Sequence, residues 1–128
     1  IIFLSENPVA KQDMAFRTAQ NFPALYQGAT AVIYPSIFEG FGIPVLEALW
    51  SKVPVITSNI SCLPETGGDA AYYIDPYNIE GIAHALLTVA SDAILRASMI
   101  EKGWQHAQKF TVGNCAAAVM NLYRNIML

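Results

Sequence analysis

Tyr34-Pro35-Ser36-Ile37-Phe38-Glu39-Gly40-Phe41-Gly42-Ile43-Pro44-Val45-Leu46-Glu47-Ala48-Leu49 decides how this chain folds. Just before it, Ala31-Val32-Ile33-Tyr34 reads as a short buried strand, apolar and β-branched, that stops at Pro35. After the glycines, Pro44 suits a first helical position, where its missing N–H is not needed, and Val45, Leu46, Ala48 and Leu49 continue as core-facing helix residues. The loop between is a strand-to-helix connection. In parallel α/β sheets such connections lie at the carboxyl ends of the strands, where ligands bind.

Gly40 and Gly42 can both adopt positive φ and let a ligand approach the backbone, and the free N–H groups of a helix start favour an anion. Glu39 precedes the turn and Glu47 lies about one helical turn inside the helix. Carboxylates accept hydrogen bonds from hydroxyls. Two of them around an anion-friendly turn therefore suit a ligand with sugar hydroxyls at both ends of a phosphate, as in a nucleotide sugar. The same residues also fit a plainer account: a tight turn, a solvated Glu39, and a Glu47 that balances the helix dipole.

Phe38-Glu39-Gly40-Phe41-Gly42-Ile43-Pro44, with seven residues between Glu39 and Glu47, resembles the signature of the family 4 glycosyltransferases, which have the two-domain GT-B architecture. Ala24-Leu25-Tyr26-Gln27-Gly28-Ala29 and Tyr34-Pro35-Ser36 resemble that family's approach to the motif. Pro54-Val55-Ile56-Thr57-Ser58, Leu63-Pro64-Glu65, Gly68-Asp69-Ala70-Ala71 and Asp75-Pro76 resemble the family's segments on the carboxyl side of the motif. The resemblance covers residues from about 22 to 128 and has no counterpart for the polar stretch at about 6 to 20.

The resemblance implies an α/β fold, a partial Rossmann-like parallel sheet flanked by helices; the chain's length and its lack of a linker or repeat make residues 1–128 one domain. The resemblance also implies Glu39, the candidate catalytic residue, on the hydroxyls of a donor sugar, and Glu47 on the ribose. Gly40 lies in the same donor loop, Phe41 and Gly42 offer backbone N–H groups, and Ile43 and Pro44 form the helix mouth beneath the phosphates. The implied reaction is retaining transfer of a hexosyl group from a nucleoside-diphosphate sugar to an acceptor hydroxyl, with no metal and no further cofactor. Family members also carry an amino-terminal acceptor domain and a basic pair that neutralises the leaving diphosphate. Neither is assignable here, since Lys11 and Arg17 sit in the unmatched stretch, so the chain is expected to be the later part of a donor-binding domain, inactive alone.

At 128 residues the chain has one domain's length, and with 54% hydrophobic and 13% charged residues it is apolar well beyond the usual, where about a quarter of residues are charged. Some of that apolar surface is expected to face parts outside the chain, and the opening run Ile1-Ile2-Phe3-Leu4 reads as a strand that could sit at a sheet edge. A net charge of −3 with scattered basic residues gives no footprint for nucleic acid. Cys62 and Cys115 have no pairing or zinc spacing and read as buried or partly buried thiols of a reducing compartment. His84 and His106 lack acidic or cysteine neighbours at ligand spacing. No apolar run reaches the roughly 20 residues of a bilayer span. A cytoplasmic location is expected, with peripheral membrane attachment through other parts left open.

Further along, a short helix is expected near Pro23 to Gly28, strands at Val53 to Thr57 and Ala71 to Ile74, and a helical turn at Leu63 to Gly67. Three longer helices come next, capped by Asn78 or Tyr77, by Ser91 or Asp92, and by Thr111. The last carries Cys115, Val119, Leu122 and Ile126 as an apolar stripe, read first as a core face and second as a docking surface. Ser58 and Asn59 open a loop on the motif's edge of the sheet and are candidates for the nucleotide pocket, or simply solvated. Glu65 reads as a helix-start carboxylate, and Tyr72, Tyr73 and Tyr77 as packing residues. Two rival functions remain. A dinucleotide-binding domain would need a third glycine, where this chain has Pro44 and Val45. A non-catalytic Rossmann-like interaction or nucleotide-binding module would keep the fold without the transfer.

Overall fold

The computed structural model describes residue 3, residues 6–14 and residues 19–127. Helix α1 (Pro8–Gln12) starts under the Asn7 side chain, which accepts from the N–H of Val9 at 2.9 Å and of Ala10 at 3.3 Å. The polar stretch thus contains a short helix. A 3-10 turn (Ala19–Asn21) leads into α2 (Phe22–Gln27), then strand β1 (Val32–Tyr34) and the motif helix α3 (Ile43–Trp50). Strand β2 (Val55–Ser58), α4 (Leu63–Gly67), a second 3-10 turn (Gly68–Ala70) and β3 (Tyr72–Ile74) come after it. Helices α5 (Ile79–Ser91), α6 (Ala93–Ala107) and α7 (Val112–Ile126) complete the described chain.

The three strands form a parallel sheet in the order β1-β2-β3, with Tyr34 opposite Thr57 and Ser58 opposite Ile74. All four residues of β2 are buried, as expected of a parallel strand covered on both faces. Its alternation feeds two cores. Val55 joins Val45, Ala48, Leu49, Leu63, Ala70 and Ala107 on the side of α3 and α4. Ile56 joins Ile74, Ala85, Val89 and Met99 on the side of α5 and α6. This is the α/β, Rossmann-like arrangement that the motif implies.

The three expected caps are in place: Asn78 accepts from Gly81 N–H at 3.0 Å, Asp92 from Leu95 N–H at 2.9 Å and Thr111 from Asn114 N–H at 3.2 Å. Three expectations differ. Strand β2 begins at Val55 rather than Val53, because the Val53 N–H is bonded to the Ala48 carbonyl at 3.0 Å and Pro54 has no N–H to give the ladder. Helix α7 is exposed at every residue from Val112 to Met127, so its apolar stripe is not a core face within this chain. Cys115, on that helix, is exposed, while Cys62 is half-buried. Helical spacing specifies that a face is apolar; it does not supply the surface that covers it. The proposed opening strand lies outside the described residues apart from Phe3. No single helix among the described residues is long and apolar enough to cross a membrane.

Candidate functional site

The strand-to-helix turn is held in place mainly by residues that come later in the chain. Gly42 stands at the N-cap of α3 with φ 89°, a left-handed conformation that L side chains resist. A Cβ there would lie 2.7 Å from Leu63 Cδ2, so position 42 requires glycine on two counts. Gly40 is different. Its φ is not positive, and a Cβ would meet nothing within 4 Å. The expectation that both glycines use positive φ therefore holds for Gly42 alone.

Ser61, itself at φ 59°, clamps the turn from the loop after β2. Its hydroxyl accepts from Glu39 N–H at 3.3 Å and donates to the Glu39 carbonyl at 3.0 Å, where the Cys62 thiol also donates at 3.3 Å. Thr66 of α4 donates its hydroxyl to the carbonyl of Phe41. The Phe41 ring packs edge-on against Phe110, 5.6 Å between centroids, and Phe110 packs on His106. The loop is thus tied to residues of the later chain at several points.

At the mouth of α3, the Gly42 carbonyl takes the N–H groups of both Val45 (2.9 Å) and Leu46 (3.3 Å). Pro44 at the second position has no N–H. The N–H groups of Gly42 and Ile43 are then those at the helix start without an intrahelical acceptor, aligned with the positive end of its dipole. Ile43 is exposed and Pro44 half-buried beside them.

The two carboxylates sit at opposite ends of this turn, and each is met by a tyrosine. Tyr34, the last residue of β1, donates its phenol to Glu39 Oε1 at 2.5 Å. Tyr26, on α2, donates to Glu47 Oε2 at 2.9 Å. The bond from Tyr34, helped by Ser36, holds the Glu39 carboxyl below the usual carboxylate range, and the same bond pushes the Tyr34 phenol up. Tyr26 is pushed up to about 12, first by burial and then by Glu47. Glu39 is therefore ionised at neutral pH and poised to accept from hydroxyls. Beside Glu47 a cavity of about 230 Å³ is walled by Phe22, Pro23, Tyr26, Trp50 and Ser51.

Ser58 and Asn59 part company. Ser58 ends β2 fully buried, with no hydrogen-bond partner for its hydroxyl among the described residues, while Asn59 is exposed and its N–H is bonded to the Ile74 carbonyl at 2.8 Å. The Ser58 side chain is closed off from solvent. Glu65 occupies the first turn of α4, and Tyr73 is a packing residue whose hydroxyl donates to Gly68 O at 2.6 Å. Its phenol is pushed up to about 12 by burial and then by Asp69. Tyr77 is exposed. Among the described residues no group of three His, Cys, Asp or Glu side chains is placed to hold a metal.

Sequence reading missed Tyr26, Tyr34, Cys62 and Thr66 as partners of the turn, and placed Ser61 in a loop on the motif's edge without its contact to Glu39. Tyr26 and Tyr34 lie inside the stretches that resemble the family, but their partners depend on where α2 and β1 dock. For Ser61 the sequence showed a polar residue of the 58–61 loop on the motif's edge of the sheet, but not its bond to the Glu39 backbone.

A family model described as "Glycosyl transferases group 1" matches residues 5–106. Among curated relatives, O-antigen chain mannosyltransferase B of Escherichia coli is 37% identical over 105 residues, covering 82% of this chain and 28% of the relative. D-inositol 3-phosphate glycosyltransferase of Corynebacterium aurimucosum is 33% identical over 113 residues, covering 87% of this chain and 27% of the relative. O-antigen chain mannosyltransferase RfbU of Salmonella typhimurium is 42% identical over 74 residues, covering 56% of this chain and 21% of the relative. The chain spans less than a third of the length of these relatives.

Proposed function

The chain belongs to the group 1 glycosyl transferases, and from that premise we propose that it forms the nucleotide-sugar-binding part of a hexosyltransferase that acts without a metal and retains anomeric configuration. The observation that carries this reading is the pairing of two carboxylates with one helix mouth. The tyrosines hold one oxygen each of Glu39 and Glu47, the second oxygens would take a sugar hydroxyl and the ribose, and the Gly42 and Ile43 N–H groups at the helix start, between them in sequence, would take the diphosphate.

In this reading Glu39 orients the sugar, and the helix start takes up charge on the departing diphosphate. Backbone N–H groups alone neutralise two phosphates poorly. The complete reaction therefore draws on cationic residues and an acceptor-binding domain supplied by other parts of the protein. Two of the relatives are mannosyltransferases by name, which makes a mannosyl donor the first to test.

Isothermal titration of the chain with GDP-mannose, and with UDP-glucose as comparison, tests the reading. Saturable binding at millimolar donor or below is expected. Glu47→Ala removes a charged hydrogen-bond acceptor, worth roughly 1.5–3 kcal/mol, and should weaken binding about 10- to 150-fold. A folded chain that binds neither donor, or a Glu47→Ala variant that binds as tightly as the parent, would show instead a module that keeps the fold without the ligand.

A further inference from the structure

We propose that Tyr34 is a positioning residue: it sets the direction of the Glu39 carboxylate and so decides how its second oxygen is offered to the donor sugar. The proposal deepens the reading of Glu39 as a donor-sugar contact and rests on it. Its basis is the way both ends of the Tyr34–Glu39 pair are anchored. Tyr34 closes β1 in register with Thr57, whose hydroxyl donates to the Tyr34 carbonyl at 2.8 Å. The phenol is therefore carried by a strand rather than by the loop it contacts. Glu39 has its own N–H and carbonyl both held by Ser61.

A glutamate side chain with a fixed backbone still has three torsions to settle, and an exposed carboxylate samples several rotamers. A phenol delivered from the sheet selects among them. The 2.5 Å separation lies in the range of charge-assisted O–H···O⁻ bonds, stronger than neutral ones. With Oε1 so engaged, the orientation of the carboxylate, and with it the placing of Oε2 as an acceptor, is fixed from the sheet. Ser36 also stabilises the ionised carboxylate, and the titratable group on the adjoining loop, Cys62, meets Glu39 only through its carbonyl. Tyr34 is the one of these that grips the carboxylate from the sheet, so its loss takes away direction.

Tyr34→Phe removes one oxygen and leaves the ring in place. With the Glu39 side-chain carboxyl labelled with carbon-13, an NMR titration should show its pKa moving up toward the ordinary carboxylate range in this variant. The acid limb of kcat/KM for the complete enzyme with GDP-mannose should move up with it. Placing 3-fluorotyrosine at position 34 keeps the shape and makes the phenol a stronger donor, so the Glu39 pKa should move down. This second replacement gives the answer if Tyr34→Phe does not fold.

An unmoved Glu39 titration in both variants would overturn the proposal. So would donor binding that tightens in Tyr34→Phe, since the phenol would then be a competitor for the sugar's place. Failure of the underlying reading looks different: Glu39→Gln would bind and turn over GDP-mannose as the parent does, whatever Tyr34 does to the carboxyl titration.

Discussion

Glu39→Gln is expected to lower kcat/KM for the donor by on the order of 10²-fold, with little change in thermal stability. The substitution keeps the side chain's size and its carbonyl oxygen, so the Tyr34 phenol still has an acceptor. What disappears is the negative charge and one of two acceptor oxygens. A hydrogen bond to a charged partner is worth about 10- to 150-fold in affinity, and more of that is felt in the transition state, where the sugar ring gains positive charge. Steady-state rates of the complete enzyme with GDP-mannose, beside a thermal melt, provide the check. A kcat/KM close to that of the parent would mean that Glu39 makes no contact that matters to transfer.

Gly42→Ala is expected to destabilise the chain by roughly 2–5 kcal/mol and to abolish saturable donor binding. Two costs combine. Alanine at φ 89° pays about 1–2 kcal/mol for a left-handed backbone. The added methyl would press on Leu63 Cδ2 from 2.7 Å, and Leu63 is fully buried with Val45 and Leu49, so relief requires the core to shift at a cost of about 1–3 kcal/mol. Relieving either strain moves the helix mouth, and with it the Gly42 and Ile43 N–H groups. A fall in Tm on the order of 10 °C by calorimetry would match these costs for a domain of this size. Gly40→Ala is the control, since a methyl there meets nothing within 4 Å. A Gly42→Ala chain as stable as Gly40→Ala would contradict the account of the turn.

The Glu39 titration carries a consequence for stability against pH. Its folded pKa is depressed relative to the unfolded chain, so the Tyr34–Glu39 pair stabilises the fold above the ordinary carboxylate pKa. That contribution fades as pH falls through the lowered folded value. Acid weakens the turn; mild alkali does not.

Much of the fold was legible because its signals are local. The step from β-branched strand to glycine turn to proline-led helix needs only near neighbours, and so do the caps at Asn78, Asp92 and Thr111, each of which bonds an N–H three residues on. The two signature carboxylates were legible for the same reason: a fixed spacing across one turn. Boundaries slipped where a tertiary contact competed, as at Val53, whose N–H is bonded to the end of α3.

Sequence alone determined the class of fold, the turn, and the two carboxylates that flank it. Tertiary structure decided how those groups are used. It seated Tyr26 against Glu47, brought Ser61 and Cys62 onto Glu39 and Thr66 onto Phe41, and left the apolar stripe of α7 in solvent. These pairings join residues 21 to 25 positions apart, and they exist because β1 and β2 lie side by side in one register and α2, α3 and α4 gather around their ends. A hydrogen bond between such partners leaves no periodicity in the chain. Local patterns specify elements, and only the packing of one element on another brings a tyrosine to a carboxylate.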